Sequence, residues 1–270
     1  DNYLDNNIII QDKQLYSRIN PYVLVTDNDV ITIVGKDTDC TFYGIATLQM
    51  MFSSFNGDKF LNVQIEDYAM MEYRGFIEGF YGGWNYQERE SLMRFARDIK
   101  MNNYVYASKT DLYHTDKWNE KYPPEEIEKI KHLVEVGKET KCYYAWSVHI
   151  SGFFRGLDTS NNQAYELRYN QLIEKFSQLY DLGVRKFDIL NDDFGAGTNE
   201  DVVTLLNRLT TEFIKPKDCE PLTYCPQGYN KAWSGNGNEL EALKSLDQSI
   251  IIYWTGDDVN SPITQETVNY

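Results

Sequence analysis

Two adjacent acids, Asp192 and Asp193, close the short run Lys186-Phe187-Asp188-Ile189-Leu190-Asn191 and are followed by Phe194-Gly195. In a β-strand neighbouring side chains point to opposite faces, so an acid pair sits poorly inside a sheet and well where the strand gives way to a loop. In alternating strand–helix proteins that C-terminal edge is where ligands bind. Two carboxylates there could divide acid and base roles if their surroundings separate their proton affinities. The plainer reading is a polar strand exit, with one Asp capping the next helix. The other exits weigh against it. After the earlier apolar runs come Glu78-Gly79-Phe80-Tyr81, Lys109 with Asp111, and His149; after the later ones come Tyr229 and Trp254-Thr255-Gly256-Asp257. Carboxylates, a lysine, tyrosines and a tryptophan on one rim suit a carbohydrate. Aromatic faces take the apolar face of a sugar ring, and charged or amide groups take its hydroxyls.

The elements that must carry these residues differ in texture along the chain. Residues 1–70 read as a small α+β domain. Ile8-Ile9-Ile10, Tyr22–Val25 and Val30–Val34 are short strand candidates, with Asn28-Asp29 a tight turn between the last two. Thr41–Ser54 places Phe42, Ile45, Leu48, Gln49 and Phe52 at helical spacing, ending near Asn56-Gly57, and Leu61–Ile65 is a further strand. Residues 71–270 alternate. Strands are expected at Gly75–Phe80, Asn103–Ala107, Cys142–Val148, Lys186–Leu190, Leu222–Cys225 and Ile250–Trp254. Helices are expected between them at Tyr86–Lys100, Pro124–Lys141, Asn162–Leu182, Glu200–Phe213 and Glu239–Leu246, with Gly183 at a helix stop.

Such alternation predicts α/β architecture with a parallel sheet, either doubly wound or a barrel. Gly79-Phe80-Tyr81-Gly82-Gly83 carries bulky aromatics where a dinucleotide loop needs close backbone approach. Polar residues at nearly every strand exit favour the TIM-type (β/α)8 barrel. A full barrel takes about 250 residues and roughly 200 follow the small domain, so the expectation is a barrel short of its last one or two units.

The chain has 270 residues and a net charge of −15, from 26 basic and 41 acidic residues, which argues against nucleic acid or an anionic membrane surface as partner. No apolar run approaches the length of a membrane span, and no signal peptide is read at the start. The four cysteines, Cys40, Cys142, Cys219 and Cys225, show neither metal-ligand spacing nor a dense disulfide pattern, so free and mostly buried thiols are expected. His114 and His149 read as structural hydrogen-bonding groups. Glu78 reads as an acid paired with Arg74 or Lys109, Trp254 equally as a rim packing residue, and Tyr81 equally as core.

The residues also resemble a known family. Arg74-Gly75-Phe76-Ile77-Glu78-Gly79-Phe80-Tyr81-Gly82 is similar to the opening strand of glycoside hydrolase family 84, the O-GlcNAcase and clostridial hyaluronidase family, with Trp84 and Arg89 at its next markers. Asn103–Lys109 with Tyr113-His114 and Trp118, Tyr180–Arg185 with Asp192-Asp193, Cys225-Pro226-Gln227-Gly228-Tyr229, and Tyr253-Trp254-Thr255-Gly256 resemble its later blocks in order. Phe42–Gln49 is similar to the small domain that precedes its barrel.

The resemblance implies a retaining hydrolase of terminal β-linked N-acetylglucosamine, in which the substrate's own acetamido oxygen is the nucleophile and no metal or organic cofactor takes part. This is a stated exception to the usual two-carboxylate scheme. It implies Asp192 as the acid that holds the acetamido N–H and Asp193 as general acid and base. Tyr229 would support the acetamido group, and Lys109 with the backbone of Gly79 would hold sugar hydroxyls, Trp254 and Thr255 completing the substrate side. The implied partner is a carbohydrate or glycoprotein, the implied location secreted. Three departures stand out. The family's Trp-Asn-Tyr-Pro-Val-Asn/Thr-Asp segment has no counterpart before Tyr270, its Thr-Glu before the tyrosine is Gln227-Gly228, and its Pro-Trp is Gly83-Trp84. Two other readings stay open: a carbohydrate-binding module below catalytic competence, and a barrel hydrolase with an ordinary carboxylate nucleophile such as Glu78 or Asp111.

Overall fold

The computed structural model describes residues 10–54, 61–193, 197–235 and 238–268. Ile8-Ile9 and Asn56-Gly57 lie outside them. The chain forms two compact units: Asp1–Phe76 with Gln87–Asn103 and Val136–Tyr143, and Ile77–Tyr86 with Tyr104–Glu135 and Tyr144–Tyr270.

In the first unit β1 (Ile19–Asp27) pairs antiparallel with β2 (Val30–Gly35). The turn between them puts Asn28 and Asp29 at φ 42° and 68°, the mirror-image geometry that matches strand twist, as expected for this dipeptide. Helix α1 (Thr38–Ser54) follows, then β3 (Val63–Ala69), which pairs with the other edge of β1. Tyr22, Leu24 and Tyr43 are the buried centre, with Ile33, Phe42, Leu48, Met51, Val63 and Ile65 packed on it. β3 runs four residues beyond the sequence expectation of Ile65 because its acids find partners. Glu66 accepts main-chain N–H bonds from Gln11 and Asp12, and Asp67 meets Lys100 Nζ at 2.8 Å and the Tyr22 hydroxyl at 2.5 Å.

The remaining elements are β4 (Gly75–Glu78), α2 (Tyr86–Asp98), β5 (Asn103–Tyr106), α3 (Pro124–Thr140), β6 (Tyr143–His149), α4 (Ser151–Phe154), α5 (Asn162–Asp181), β7 (Lys186–Leu190), α6 (Asn199–Leu209), β8 (Thr223–Cys225), α7 (Asn238–Leu243), β9 (Ile251–Ile252) and α8 (Gln265–Val268). Strands β4 to β9 lie side by side in chain order, and the pairings from β6 through β9 are parallel. A doubly wound sheet reverses its order at a switch point; this one does not, so the winding is that of a barrel wall, of which the described residues supply six strands.

Alternation along β7 explains its two faces. Phe187 stacks on Phe176 of α5 at 4.6 Å and meets Phe213 edge-on at 5.6 Å, so Phe187 and Ile189 face the helices. Lys186, Asp188 and Leu190 face the other way. Helix α5 starts on an Asn161 side chain that accepts from Ala164 N and ends at Gly183, as expected, while α6 carries a Thr198–Asp201 capping box. After Leu209 the chain widens into a π turn, Thr210–Ile214, that presents Phe213 to this cluster. Strand β9 is shorter than expected because Thr255 N turns away to bond Tyr229 O at 2.9 Å. All four cysteines are free, Cys40 and Cys142 fully buried. Among the described residues no helix is long and apolar enough to cross a membrane.

Candidate active site

The three central strands deliver their exits to one place. His149 of β6 is in register with Leu190 of β7, and Asn191 N donates to Cys225 O at the end of β8 at 2.9 Å. Beyond Asn191, itself buried, the chain turns. Asp193 takes φ 62°, a left-handed conformation that costs a non-glycine residue on the order of 1 kcal/mol and that Asp tolerates better than most.

The turn separates the acid pair. Asp192 points inward: Oδ1 is buried and has no partner among the described residues, and Oδ2 lies 3.9 Å from Lys109 Nζ. Its main-chain oxygen accepts from His149 Nε2 at 2.9 Å, and His149 Nδ1 sits 2.9 Å from Ser151 Oγ, so this histidine fixes the turn, the structural part expected of it. Asp193 is exposed. A buried carboxylate oxygen without a donor is costly, and the cost is recovered when a ligand N–H or O–H reaches it.

Tyr229 lies half-buried on the β8 exit. Burial first, then the negative fields of Asp193 and Asp192, raise its phenol pKa, so it remains a hydrogen-bond donor at neutral pH. Its ring meets half-exposed Trp233 edge-on at 5.2 Å, an aromatic neighbour that no sequence motif had singled out. Thr255 is used as a strut: its hydroxyl is 3.4 Å from Tyr229 O and 2.9 Å from Asp258 O. Trp254 lies half-buried beside it on the β9 exit. At the β4 exit a Cβ on Gly79 would meet nothing nearer than Ile77 at 3.8 Å, so the backbone there is open to a ligand. Tyr81 next to it is 84% exposed and no part of the core.

Two departures from the family pattern have local causes. Gly83 has φ 36°, out of reach of proline, and a Cβ there would fall 2.6 Å from Thr110 Oγ1. A Cβ on Gly228 would fall 2.4 Å from Glu239 Oε2 and 2.6 Å from Ser234 Cα. Glu239, from α7, fills the space a side chain at 228 would occupy and accepts the Gly228 N–H at 2.8 Å. Sequence reasoning missed this residue, because the contact bridges eleven positions and no pattern announces it.

The other acids are committed. Glu78 is fully buried and accepts from Trp84 N at 3.0 Å and from the Tyr104 hydroxyl. Asp111 accepts from Tyr106 and Tyr122 hydroxyls at 3.0 and 2.7 Å and from Tyr113 N at 2.8 Å. His114 is buried, with Nδ1 2.8 Å from Ser147 O, and burial pushes its pKa down to about 4. A carboxylate held by several donors is a poor free nucleophile, which removes the support for a second-strand carboxylate in that role.

The chain is similar to proteins of known family. The sequence profile for beta-N-acetylglucosaminidase (NAGidase) matches residues 74–270, and that for glycosyl hydrolase family 20, domain 2, matches residues 7–68. The chain is 26% identical over 204 residues to Protein O-GlcNAcase of Mus musculus and of Rattus norvegicus, matches that cover 69% of this chain and 21% of each relative. It therefore spans about a fifth of the length of those relatives. Among solved structures, that of CpGH84D is 35% identical with a TM-score of 0.90, covering 100% of this chain and 45% of that one. That of CpGH84B is 34% identical with a TM-score of 0.85, covering 95% of this chain and 45% of that one. With its barrel winding, its paired acids at the β7 exit and a profile match over most of its length, the chain belongs to the β-N-acetylglucosaminidase family, glycoside hydrolase family 84.

Proposed function

We propose that this chain carries the catalytic acids of a retaining β-N-acetylglucosaminidase that works by substrate assistance. The observation behind the proposal is the unlike placement of the two neighbouring acids, Asp192 half-buried with a buried, unpartnered Oδ1 and Asp193 exposed. Asp192 Oδ1 would accept the acetamido N–H, which raises the electron density on the acetamido oxygen as that oxygen attacks C1. The C1–O bond to the leaving group breaks, and Asp193 supplies the proton that the departing oxygen takes up. Water then attacks C1 of the oxazoline and gives its proton to Asp193, which restores the acetamido group and the configuration at C1. Lys109 and the open backbone at Gly79 would hold sugar hydroxyls, Tyr229 would donate to the acetamido group, and Trp254 with Thr255 would close the substrate side. Substrates of this class include O-linked N-acetylglucosamine on protein, glycans and hyaluronan-type chains.

The test is hydrolysis of 4-nitrophenyl β-N-acetylglucosaminide beside the corresponding β-glucoside, with the parent chain and Asp192→Ala. The expected result is turnover of the acetamido substrate alone, lowered about 10²–10⁴-fold in the variant. Comparable hydrolysis of the glucoside would refute substrate assistance. No turnover by a folded parent would favour the binding-only reading.

A further inference from the structure

Lys175, on α5, is fully buried. Its ammonium donates to the main-chain oxygens of Tyr113 at 2.7 Å and Lys117 at 3.1 Å. It also lies 4.9, 4.6 and 5.6 Å from the ring centres of Tyr113, Tyr122 and Trp146. Among the described residues no carboxylate forms an ion pair with it. Burial pushes its pKa down to about 7, against the fields of Asp111 and Glu120. A buried cation held only by carbonyls and ring faces is costly, and an apolar side chain would fill the same space more cheaply.

What the charge holds is one segment, the exit of β5. Gln178, three residues further along α5, grips the same segment: its Nε2 donates to Tyr122 O at 3.0 Å and its Oε1 accepts from Tyr122 N at 2.8 Å. The cage is wired inward. Trp146 Nε1 donates to the Tyr122 hydroxyl at 2.9 Å, and that hydroxyl donates to Asp111 Oδ2 at 2.7 Å. Asp111 lies two positions from Lys109, the residue that meets Asp192.

We propose that Lys175 is a positioning residue for sugar binding: its charged amine clamps the β5 exit segment to α5 and so holds Lys109 in front of Asp192. This rests on the function proposed above. Lys175→Met keeps a chain of similar reach in the cage and removes the charge and its donors. Below pH 7, kcat/KM for 4-nitrophenyl β-N-acetylglucosaminide is expected to fall about tenfold or more, mostly through KM, the scale on which a displaced binding group acts. In a Lys109→Ala background the same substitution should change kcat/KM by less than about twofold, because the group it positions is gone. Equal losses in both backgrounds would overturn the proposal in favour of a merely structural lysine. A second measurement needs no turnover. Amide exchange in Lys175→Met should quicken in residues 107–122 and stay unchanged in β7, and unchanged exchange in 107–122 would overturn the clamp. Should Lys175→Met not fold, Gln178→Leu tests the same clamp from its second grip by the same exchange pattern. Failure of the parent to hydrolyse the substrate would count against the proposed function, and the exchange result would still decide the clamp.

Discussion

Asp192 and Asp193 share a peptide bond and occupy opposite surroundings, because one left-handed residue rotates their side chains apart. Chemistry that needs one acid to hold an N–H and the other to trade protons with solvent-facing oxygens can be built from such a pair without a second strand. The roles proposed for them differ in a measurable way. Asp193→Asn should lower turnover about 10²–10⁴-fold for an alkyl or sugar leaving group and far less for an activated aryl one, which departs without a proton. Equal losses on both substrates would sink the assignment of Asp193 as the acid.

At the scale of elements, the β8 exit is shaped by a helix that follows it. Glu239 of α7 holds the Gly228 N–H next to Tyr229, Thr255 N donates to Tyr229 O, and Lys231 N and Ala232 N donate to Gly256 and Asp257 oxygens. Gly228 is required by that closeness, Gly79 is not. Gly228→Ala should therefore cost on the order of 1–3 kcal/mol in a thermal melt, the range of an overpacked site. Gly79→Ala should shift stability by less than about 0.5 kcal/mol while raising KM, since the added methyl meets only an approaching sugar. A melting point unmoved in Gly228→Ala, or a KM unmoved in Gly79→Ala, would contradict the respective reading. The strand exits were legible in the sequence because a β-branched or aromatic run that stops at polar residues marks a strand meeting its loop, whatever lies elsewhere in the chain. The grip of Glu239 was not, because it depends on where α7 lies.

For the whole molecule, buried ionisable groups set how stability follows pH. Burial raises the Asp188 carboxyl to about 6, against the Thr223 and Tyr253 hydroxyls and Lys186, and its Oδ2 has no partner among the described residues. The folded chain thus holds this proton more tightly than the unfolded one. Its contribution is fully present below the unfolded value of 3.8 and is lost as pH rises through about 6. His114, lowered from 6.5 to about 4, acts in the opposite sense across nearly the same window, so the two offset each other in the parent. Asp188→Asn isolates one of them. It should stabilise the chain by up to roughly 3 kcal/mol above neutral pH and leave it unchanged at pH values below the unfolded carboxyl range, by urea denaturation. A gain independent of pH would contradict the account.

Local chemistry alone, read along the chain, was enough for the alternation of strands and helices, the turn at Asn28-Asp29 and the position of the acid pair at a strand exit. Each depends on side-chain period or on the dihedral preferences of a few neighbouring residues, and these are properties of short segments. Other features had to wait for three dimensions. β3 continues through Glu66 and Asp67 because distant donors satisfy them, and β9 stops at Ile252 because Thr255 is drawn to Tyr229. Glu78 and Asp111 are candidate nucleophiles in the sequence and are held by hydrogen-bond donors in the fold. The burial of Lys175 in an aromatic cage has no signature along the chain. The reason is shared: whether a polar group is free, paired or buried is settled by neighbours that the fold brings together, some a few positions along the chain and some tens away, and a sequence records those neighbours without recording that they meet.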